Sequence, residues 1–307
     1  MDIGSVLFSA GVGKRLRPLT GVLAKPSVPV LDLPLGGFGL ADLLSTAPPV
    51  VVNVSHLPET VLSAFEEHFP GAPWLGFTEQ PEGFGTAGTL AALKKQIRER
   101  VVVRNADTFS DVEASDVLTT HFTLGAPLTV AVQPVDTGAD FVVDGDRAVG
   151  FVDRRIDPAA PGVRYIGVAV LEKSAIKKIP NARPLGLGES VFKPMVESGD
   201  VAVHVHDGYA LDVGTVANYL QANLDALEGR GPQPFRMWPG TFDTPSTFVG
   251  NYATVAPGAL GEGAVVMSGA LVGSGASVER AVVLPGEIVR AGTQVRDCVW
   301  FQGAALT

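Results

Sequence analysis

Up to about residue 228 the chain alternates short apolar runs with amphipathic stretches. Ser5–Ser9, Val50–Val54, Val101–Arg104, Leu128–Val132 and Tyr165–Leu171 read as buried strands. Between them, Pro58–His68, Thr86–Arg100 and Val216–Glu228 carry apolar residues at helical spacing. Strands separated by helices predict βαβ units and a mostly parallel sheet covered on both faces. From Gly229 to Thr247 the composition turns to Gly, Pro and Thr, which predicts a linker.

The last sixty residues follow a different rule. Val265, Leu271, Val283, Val289, Val295 and Phe301 recur in steps of six, interrupted at Ser277. Leu260, Val266, Val272, Val278 and Leu284 make a neighbouring column with the same period. Pro257-Gly258, Ser274-Gly275, Pro285-Gly286 and Ala291-Gly292 supply turn-forming pairs between them. A six-residue apolar period predicts a hexapeptide parallel β-helix, where each short strand turns a corner and the columns stack inside. A β meander with chance spacing would seldom hold two adjacent columns in register. The predicted organisation is an α/β domain over 1–228, a linker over 229–247 and a β-helix over 248–307.

The net charge of −9, without a long basic run, argues against non-specific nucleic-acid binding, which rests on neutralising phosphates. A few local cations still suffice for a small phosphate ligand. Cys298 is the only cysteine, so neither an intrachain disulfide nor a C-x-x-C metal site can form. No apolar run approaches a membrane span, and the N-terminus has no basic and apolar leader pattern. These features predict a soluble, cytoplasmic protein with no membrane partner. The histidines at 204 and 206 would share one face of a strand, but no third ligand accompanies them, and ordinary strand residues are the better reading.

Candidate chemistry begins where the first strand ends. Ser9 leads into Ala10-Gly11-Val12-Gly13-Lys14-Arg15-Leu16-Arg17-Pro18-Leu19-Thr20. Glycines let backbone amides approach an anion, and Lys14, Arg15 and Arg17 add cationic donors beside them. The carboxyl end of a strand in an open α/β sheet is also where such folds bind ligands. A dinucleotide fingerprint would need glycine at position 16, which is Leu, and a Walker A loop would need Gly-Lys-Ser/Thr after a four-residue gap. Neither is present.

The longer string, continued by Ala24-Lys25-Pro26-Ser27-x-Pro29-Val30, resembles the signature of nucleoside-diphosphate-sugar pyrophosphorylases. Three more stretches resemble that family in its own order: Gln80–Gly88, Val101–Asp107 with Ala106 in place of Gly, and Gly208–Thr215 with Ala210 in place of Trp. The resemblance implies a Rossmann-like nucleotidyltransferase domain followed by a short left-handed β-helix, closest in pattern to mannose-1-phosphate guanylyltransferases and glucose-1-phosphate nucleotidyltransferases. It implies transfer of a nucleoside monophosphate from an NTP to a sugar 1-phosphate with Mg²⁺, releasing pyrophosphate. By the same resemblance, Arg15 and Lys25 are catalytic, and Ala10, Gly11, Gly13, Lys14, Gln80, Gly85 and Thr86 hold the nucleotide. Asp107 and Asp212 bind the metal, while Gly138, Asp153 and Arg154 take the sugar phosphate. Asp153 and Arg154 stand where the family has Glu and Lys, so charge is kept but reach is not. The β-helix, with an apolar flank to cover, implies a homo-oligomer. The departures keep alternatives open: a non-catalytic regulatory homologue that binds nucleotide sugars, or a nucleotidyltransferase for a non-sugar phosphate. An acyltransferase, another host of hexapeptide coils, lacks a histidine after residue 206.

Overall fold

The structure, a computed structural model, describes residues 2–232, 241–244 and 246–307. Residues 233–240 and 245 of the expected linker lie outside the described residues.

The N-terminal part contains strands β1 (Ile3–Phe8), β2 (Val50–Val54), β3 (Trp74–Thr78), β4 (Ile97–Asn105), β5 (Thr108–Ser110), β6 (Leu128–Val135), β7 (Phe141–Asp144), β8 (Arg147–Phe151), β9 (Gly162–Glu172), β10 (Val201–Val205) and β11 (Ala210–Asp212). Its helices are α1 (Leu35–Thr46), α2 (Pro58–His68), α3 (Thr86–Leu93), α4 (Ala114–Leu124), α5 (Lys173–Lys177), α6 (Lys193–Glu197) and α7 (Val216–Leu227). Nine strands form one sheet in the order β3-β2-β1-β4-β9-β6-β10-β8-β7. The β3-β2-β1-β4 half is parallel, as is the β6-β10 pair. Strand β9 runs antiparallel between β4 and β6, and the β7-β8 hairpin closes one edge antiparallel. The sheet is therefore mixed, with a parallel core, where the apolar runs alone suggested a mostly parallel one.

Alternate residues of the central strands feed opposite faces. Val6, Phe8, Val101 and Val103 pack with residues of α3, α5 and α6, whereas Leu7, Val50, Val52 and Val102 pack with α1, α2 and α4. Strands buried on both faces have no polar alternation, which explains their uniform apolar character.

Two elements differ from expectation. The helix predicted to reach Arg100 ends at Leu93, and Ile97 starts β4, because Ile97 is buried as the partner of Ile3. Helix α1 was hidden by Gly36, Gly37 and Gly39, which disfavour helix. Close packing accounts for them: a Cβ on Gly36 would lie 2.8 Å from Phe65 Cζ, and one on Gly39 3.1 Å from Leu7 Cδ1.

In the C-terminal part, Thr247–Val249, Ala264–Val266, Ala281–Val283 and Val299–Phe301 stack in a parallel ladder. Thr254–Val255, Leu271–Val272 and Ile288–Val289 form a second, and Ser277–Glu279 with Gln294–Arg296 a third. The pairings Phe248↔Val265↔Val282↔Val299 advance seventeen residues per level, not eighteen. The expected columns therefore cross over. Val266, Val272, Val278, Val283, Val289 and Val295 share the interior cluster, and the short step falls at Arg280, whose φ is +45°. Val265 and Leu284 instead face the α/β part, and Leu271 is exposed.

Candidate active site

The loop after β1 is pegged into the protein by Leu16 and Leu19, both fully buried. Gly13 has φ +64°, and a Cβ there would lie 3.0 Å from Thr20 Cγ2 and 3.2 Å from Lys25 Cβ. Thr20 Oγ1 donates to the Gly13 carbonyl at 2.8 Å, fixing this tight turn. Gly11 is different: a Cβ there would meet nothing within 4 Å, so its backbone is open to the cleft it lines. Lys14, Arg15 and Arg17 are exposed around it.

Strands β5 and β11 pair antiparallel, with Asp212 opposite Thr108, and the Val213 N–H donates to the Asp107 carbonyl at 3.2 Å. Two aspartates more than a hundred residues apart thereby meet over one cation. Lys25 Nζ lies 2.8 Å from Asp107 Oδ2 and 3.4 Å from Asp212 Oδ1, while Arg15 Nη2 lies 3.5 Å from Asp212 Oδ2. The Lys25 side chain is 8% exposed against 70% for Arg15, so Lys25 is held and Arg15 is free to swing. Buried Arg104 braces the aspartate-bearing hairpin from behind, donating to the Ser110 and Val112 carbonyls at 3.0 and 2.7 Å and pairing with Asp42.

A cleft of about 670 Å³ runs from this cluster along the Ser9–Val12 loop to the loop before α3. Ala10, Gly11, Lys25, Gly85, Thr86 and Asp107 line it. Gln80 is exposed and does not; Pro81 and Glu82 do. Gly85 has φ +73°, and a Cβ there would strike the Leu185 carbonyl at 2.3 Å. That carbonyl accepts the Ala87 and Gly88 N–H groups, and the Thr86 hydroxyl accepts the Leu187 N–H at 3.0 Å. The sequence reading missed Asn53, which lines the cleft, and Glu79 and Thr89 behind it, all buried. A polar Asn inside the valine run of β2 was the available signal.

A family model for nucleotidyl transferases matches residues 4–229. The chain belongs to this family. Mannose-1-phosphate guanylyltransferase of Mycobacterium tuberculosis is 27% identical over 301 residues, covering 88% of this chain and 81% of that protein. UTP–glucose-1-phosphate uridylyltransferase of Synechocystis is 25% identical over 240 residues, covering 71% of this chain and 62% of that protein. In fold, the chain is similar to the crystal structure of HddC from Yersinia pseudotuberculosis complexed with GMP-PN. The TM-score is 0.60 at 20% identity, covering 72% of this chain and 98% of that one.

Gly13, Lys14, Arg15 and Asp212 adjoin the cleft of this nucleotidyl transferase without lining it, and Gly138, Asp153 and Arg154 do not line it either. Gly138, at φ +68°, accepts the Arg164 Nε–H on its carbonyl at 3.0 Å, and a Cβ would lie 2.6 Å from Arg164 Nη2. Asp153 is clasped by Arg155 through Nε and Nη2 at 2.7 and 2.5 Å, and Arg155 also reaches Glu189. Those hydrogen bonds hold the Asp153 carboxyl well below its usual range, at about 2. Arg154 Nε lies 2.7 Å from Asp140, a carboxylate that burial pushes up and Arg154 pulls down. Asp140 also accepts the Tyr165 N–H at 2.8 Å, and two residues on, Gly167 packs against Asn105 of the cleft. This group of residues is thus connected to the cleft's edge, but each charge is engaged with a neighbour. His204 pairs with Thr120 at 2.8 Å and His206 with Asp111 at 2.7 Å, in separate interactions.

Proposed function

We propose that this nucleotidyl transferase moves a nucleoside monophosphate from an NTP to a sugar 1-phosphate, giving an NDP-sugar and pyrophosphate. The observation that carries the reading is the buried Lys25 ammonium set between Asp107 and Asp212, beside an open glycine backbone at Gly11. Relatives named for mannose 1-phosphate and glucose 1-phosphate support a hexose 1-phosphate acceptor.

The donor set fits Mg²⁺. Two carboxylates converge on a single cation's position, which leaves the ion's other sites to phosphate oxygens and water. Among the described residues no third His, Cys, Asp or Glu joins them. Asp107 and Asp212 would hold Mg²⁺, which when bound would offset phosphate charge.

The protein's own groups do the rest by position and electrostatics. Backbone amides of Ala10–Gly13 and the Lys14 side chain receive the triphosphate, and Gly85 and Thr86 face the base. Lys25 carries its positive charge to the α-phosphate, where charge builds as the sugar phosphate oxygen attacks in line. Exposed Arg15 follows the departing pyrophosphate. Asp153 and Arg154, with Gly138, bound the acceptor end. Because both charges are already paired, a non-sugar phosphate acceptor is the second reading.

We read the C-terminal ladders as a left-handed β-helix over 248–307, joined by 229–247 to a catalytic domain over 1–228. Three ladders with a seventeen-residue step support it. Exposed Leu271 and Ile288, adjacent in one ladder, support a homo-oligomer. No helix among the described residues is long and apolar enough to cross a membrane, and we place the enzyme in the cytoplasm without a nucleic-acid or membrane partner.

Incubation with five NTPs and a set of sugar 1-phosphates, with and without Mg²⁺, tests the reading by pyrophosphate release. Metal-dependent release with at least one pair is expected. Release with none of the sugar phosphates, but with another phosphomonoester, would select the second reading.

A further inference from the structure

The nucleotide cleft is walled by two loops from distant parts of the sequence, Ser9–Val12 on one side and Pro81–Thr86 on the other. A buried polar chain joins them. The Ser9 N–H donates to Asn53 Oδ1 at 2.7 Å, and Asn53 Nδ2 donates to Glu79 Oε1 at 2.9 Å and to Thr89 Oγ1 at 3.0 Å. Glu79 Oε2 accepts the Phe84 N–H at 2.6 Å, and the Thr89 hydroxyl lies 2.5 Å from Glu79 Oε1 and 3.0 Å from the Gly85 carbonyl. Gly83 fills the gap: a Cβ there would touch both the Ala10 carbonyl and Glu79 Oε2 at 3.7 Å.

Glu79 is 1% exposed, and no Lys, Arg or His within ion-pair distance of it appears among the described residues. A buried carboxyl without a cation is costly unless hydrogen bonds satisfy it. Here the donors that satisfy it are Asn53 of β2, which also holds the Ser9 N–H, Thr89 of α3, and the Phe84 N–H of the second loop. Hydrophobic packing would stabilise this part of the sheet as well, without fixing two loops in one register.

We propose that Asn53 and Glu79 are positioning residues that lock the phosphate loop to the base loop, so that the identity of the base is felt at the transferred phosphate. The inference rests on the nucleotidyl-transfer reading. With the clamp intact, a base that fits the second loop sets the triphosphate in line. With it broken, each loop binds its own part of the NTP, and discrimination between bases no longer reaches the chemistry.

The hydrogen-bond polarity supplies the test. Glu79→Gln brings an amide NH₂ against Asn53 Nδ2 or, with the amide turned over, against the Phe84 N–H, donor against donor in both. Asn53→Asp brings a carboxylate against Glu79, acceptor against acceptor. The double exchange, Asn53→Asp with Glu79→Gln, restores complementarity. The new carboxylate at 53 accepts from the new amide at 79, Ser9 and Phe84 keep their acceptors, and Thr89 donates one way and accepts the other. Net charge is unchanged.

For wild type and the three variants, kcat/KM is measured with Mg²⁺ and GTP, UTP, dTTP, CTP and ATP, together with the KM of the sugar 1-phosphate. Each single variant should lower the ratio between the best and second-best NTP by about tenfold, the effect of one buried hydrogen bond left unmade. The acceptor KM should stay within about twofold, and the double exchange should recover most of the ratio. Single variants that lose thermal stability while keeping the NTP ratio would show a merely structural role and overturn the proposal. So would a double exchange no better than the worse single. Absence of turnover in the wild type would defeat the function reading instead; equilibrium dialysis of the same five NTPs would then read the clamp through affinity ratios.

Discussion

Two glycines two residues apart in the first loop should respond oppositely to the same added methyl group. Gly13 is left-handed at φ +64°, which costs a residue with a Cβ roughly 1–2 kcal/mol. Its Cβ would also sit 3.0 Å from Thr20 Cγ2 and 3.2 Å from Lys25 Cβ, tighter than ordinary contact. Gly13→Ala should therefore cost about 2 kcal/mol and lower Tm by roughly 4–8 °C, and by shifting Lys25 it should depress kcat. Gly11 has free space and no positive φ, so Gly11→Ala should leave Tm unchanged or raise it slightly through loss of unfolded-chain entropy. If the loop cradles a triphosphate, that methyl occupies the approach path of a phosphate oxygen, and NTP affinity should fall at least about tenfold, some 1.4 kcal/mol. Differential scanning fluorimetry and NTP titration separate the two effects. Unchanged NTP affinity in Gly11→Ala would refute the cradle, whatever happens at Gly13.

Asp107→Ala and Asp212→Ala should each lower kcat by about a hundredfold or more while the fold persists, and EDTA should abolish pyrophosphate release; full activity in chelator would remove the metal from both residues. Asp153→Glu should shift the kcat/KM ratio between two hexose 1-phosphates by about tenfold without altering NTP preference, and an unchanged ratio in both Asp153→Glu and Asp153→Ala would take Asp153 out of the acceptor pocket. Because Arg155 depresses the Asp153 pKa to about 2, its contribution is present above the ordinary carboxylate range and lost as pH falls through about 2. Any Tm gap between wild type and Asp153→Asn at pH 6 should therefore close near pH 2, and a gap independent of pH would mean the Arg155 clasp contributes nothing. Val282→Asp, which buries a charge in the core shared by the coil and the phosphate loop, should weaken NTP binding as well as stability, measured by titration at a temperature where the variant is folded.

How much of this was legible in the sequence depended on how local the determining interaction is. Val50–Val54 and Pro58–His68 match the observed elements end to end, because an all-apolar run and a helical face are properties of the segment itself. The glycine-rich loop, Lys25 and the two aspartates were legible as strings, and the structure brings both aspartates to the Lys25 ammonium. The seventeen-residue step was not, since one short corner per level, as at Arg280, shifts the apolar residue by a single position and mimics a second column. Nor was the Asn53–Glu79 chain, whose partners lie 26 residues apart in sequence and meet only through sheet pairing. Asp140 was overlooked because nothing local marks a carboxylate whose partner, Arg154, lies across a hairpin.

The two parts of the chain looked separable from their periodicities, and the packing says otherwise. Leu16 and Leu19, which peg the phosphate loop, belong to the same buried cluster as Phe248, Val265, Met267, Val282 and Phe301 of the coil. A second tie runs through the turn at Leu31 and Asp32, where Asp32 accepts the Ser268 N–H at 3.0 Å and its hydroxyl at 2.6 Å. Gly250 leaves room for it, since a Cβ there would lie 2.1 Å from Asp32 Oδ2. Burial raises the Asp32 pKa, so those Ser268 donors are what make the carboxylate tolerable at the junction. Leu31 in turn hangs from Asn223 of α7 at 3.1 Å, and α7 begins four residues after Asp212. One continuous set of contacts therefore reaches from the coil to the glycine-rich loop on one side and to the strand of Asp212 on the other. The coil supports the geometry of the site, and its outward ladder faces are left for other work.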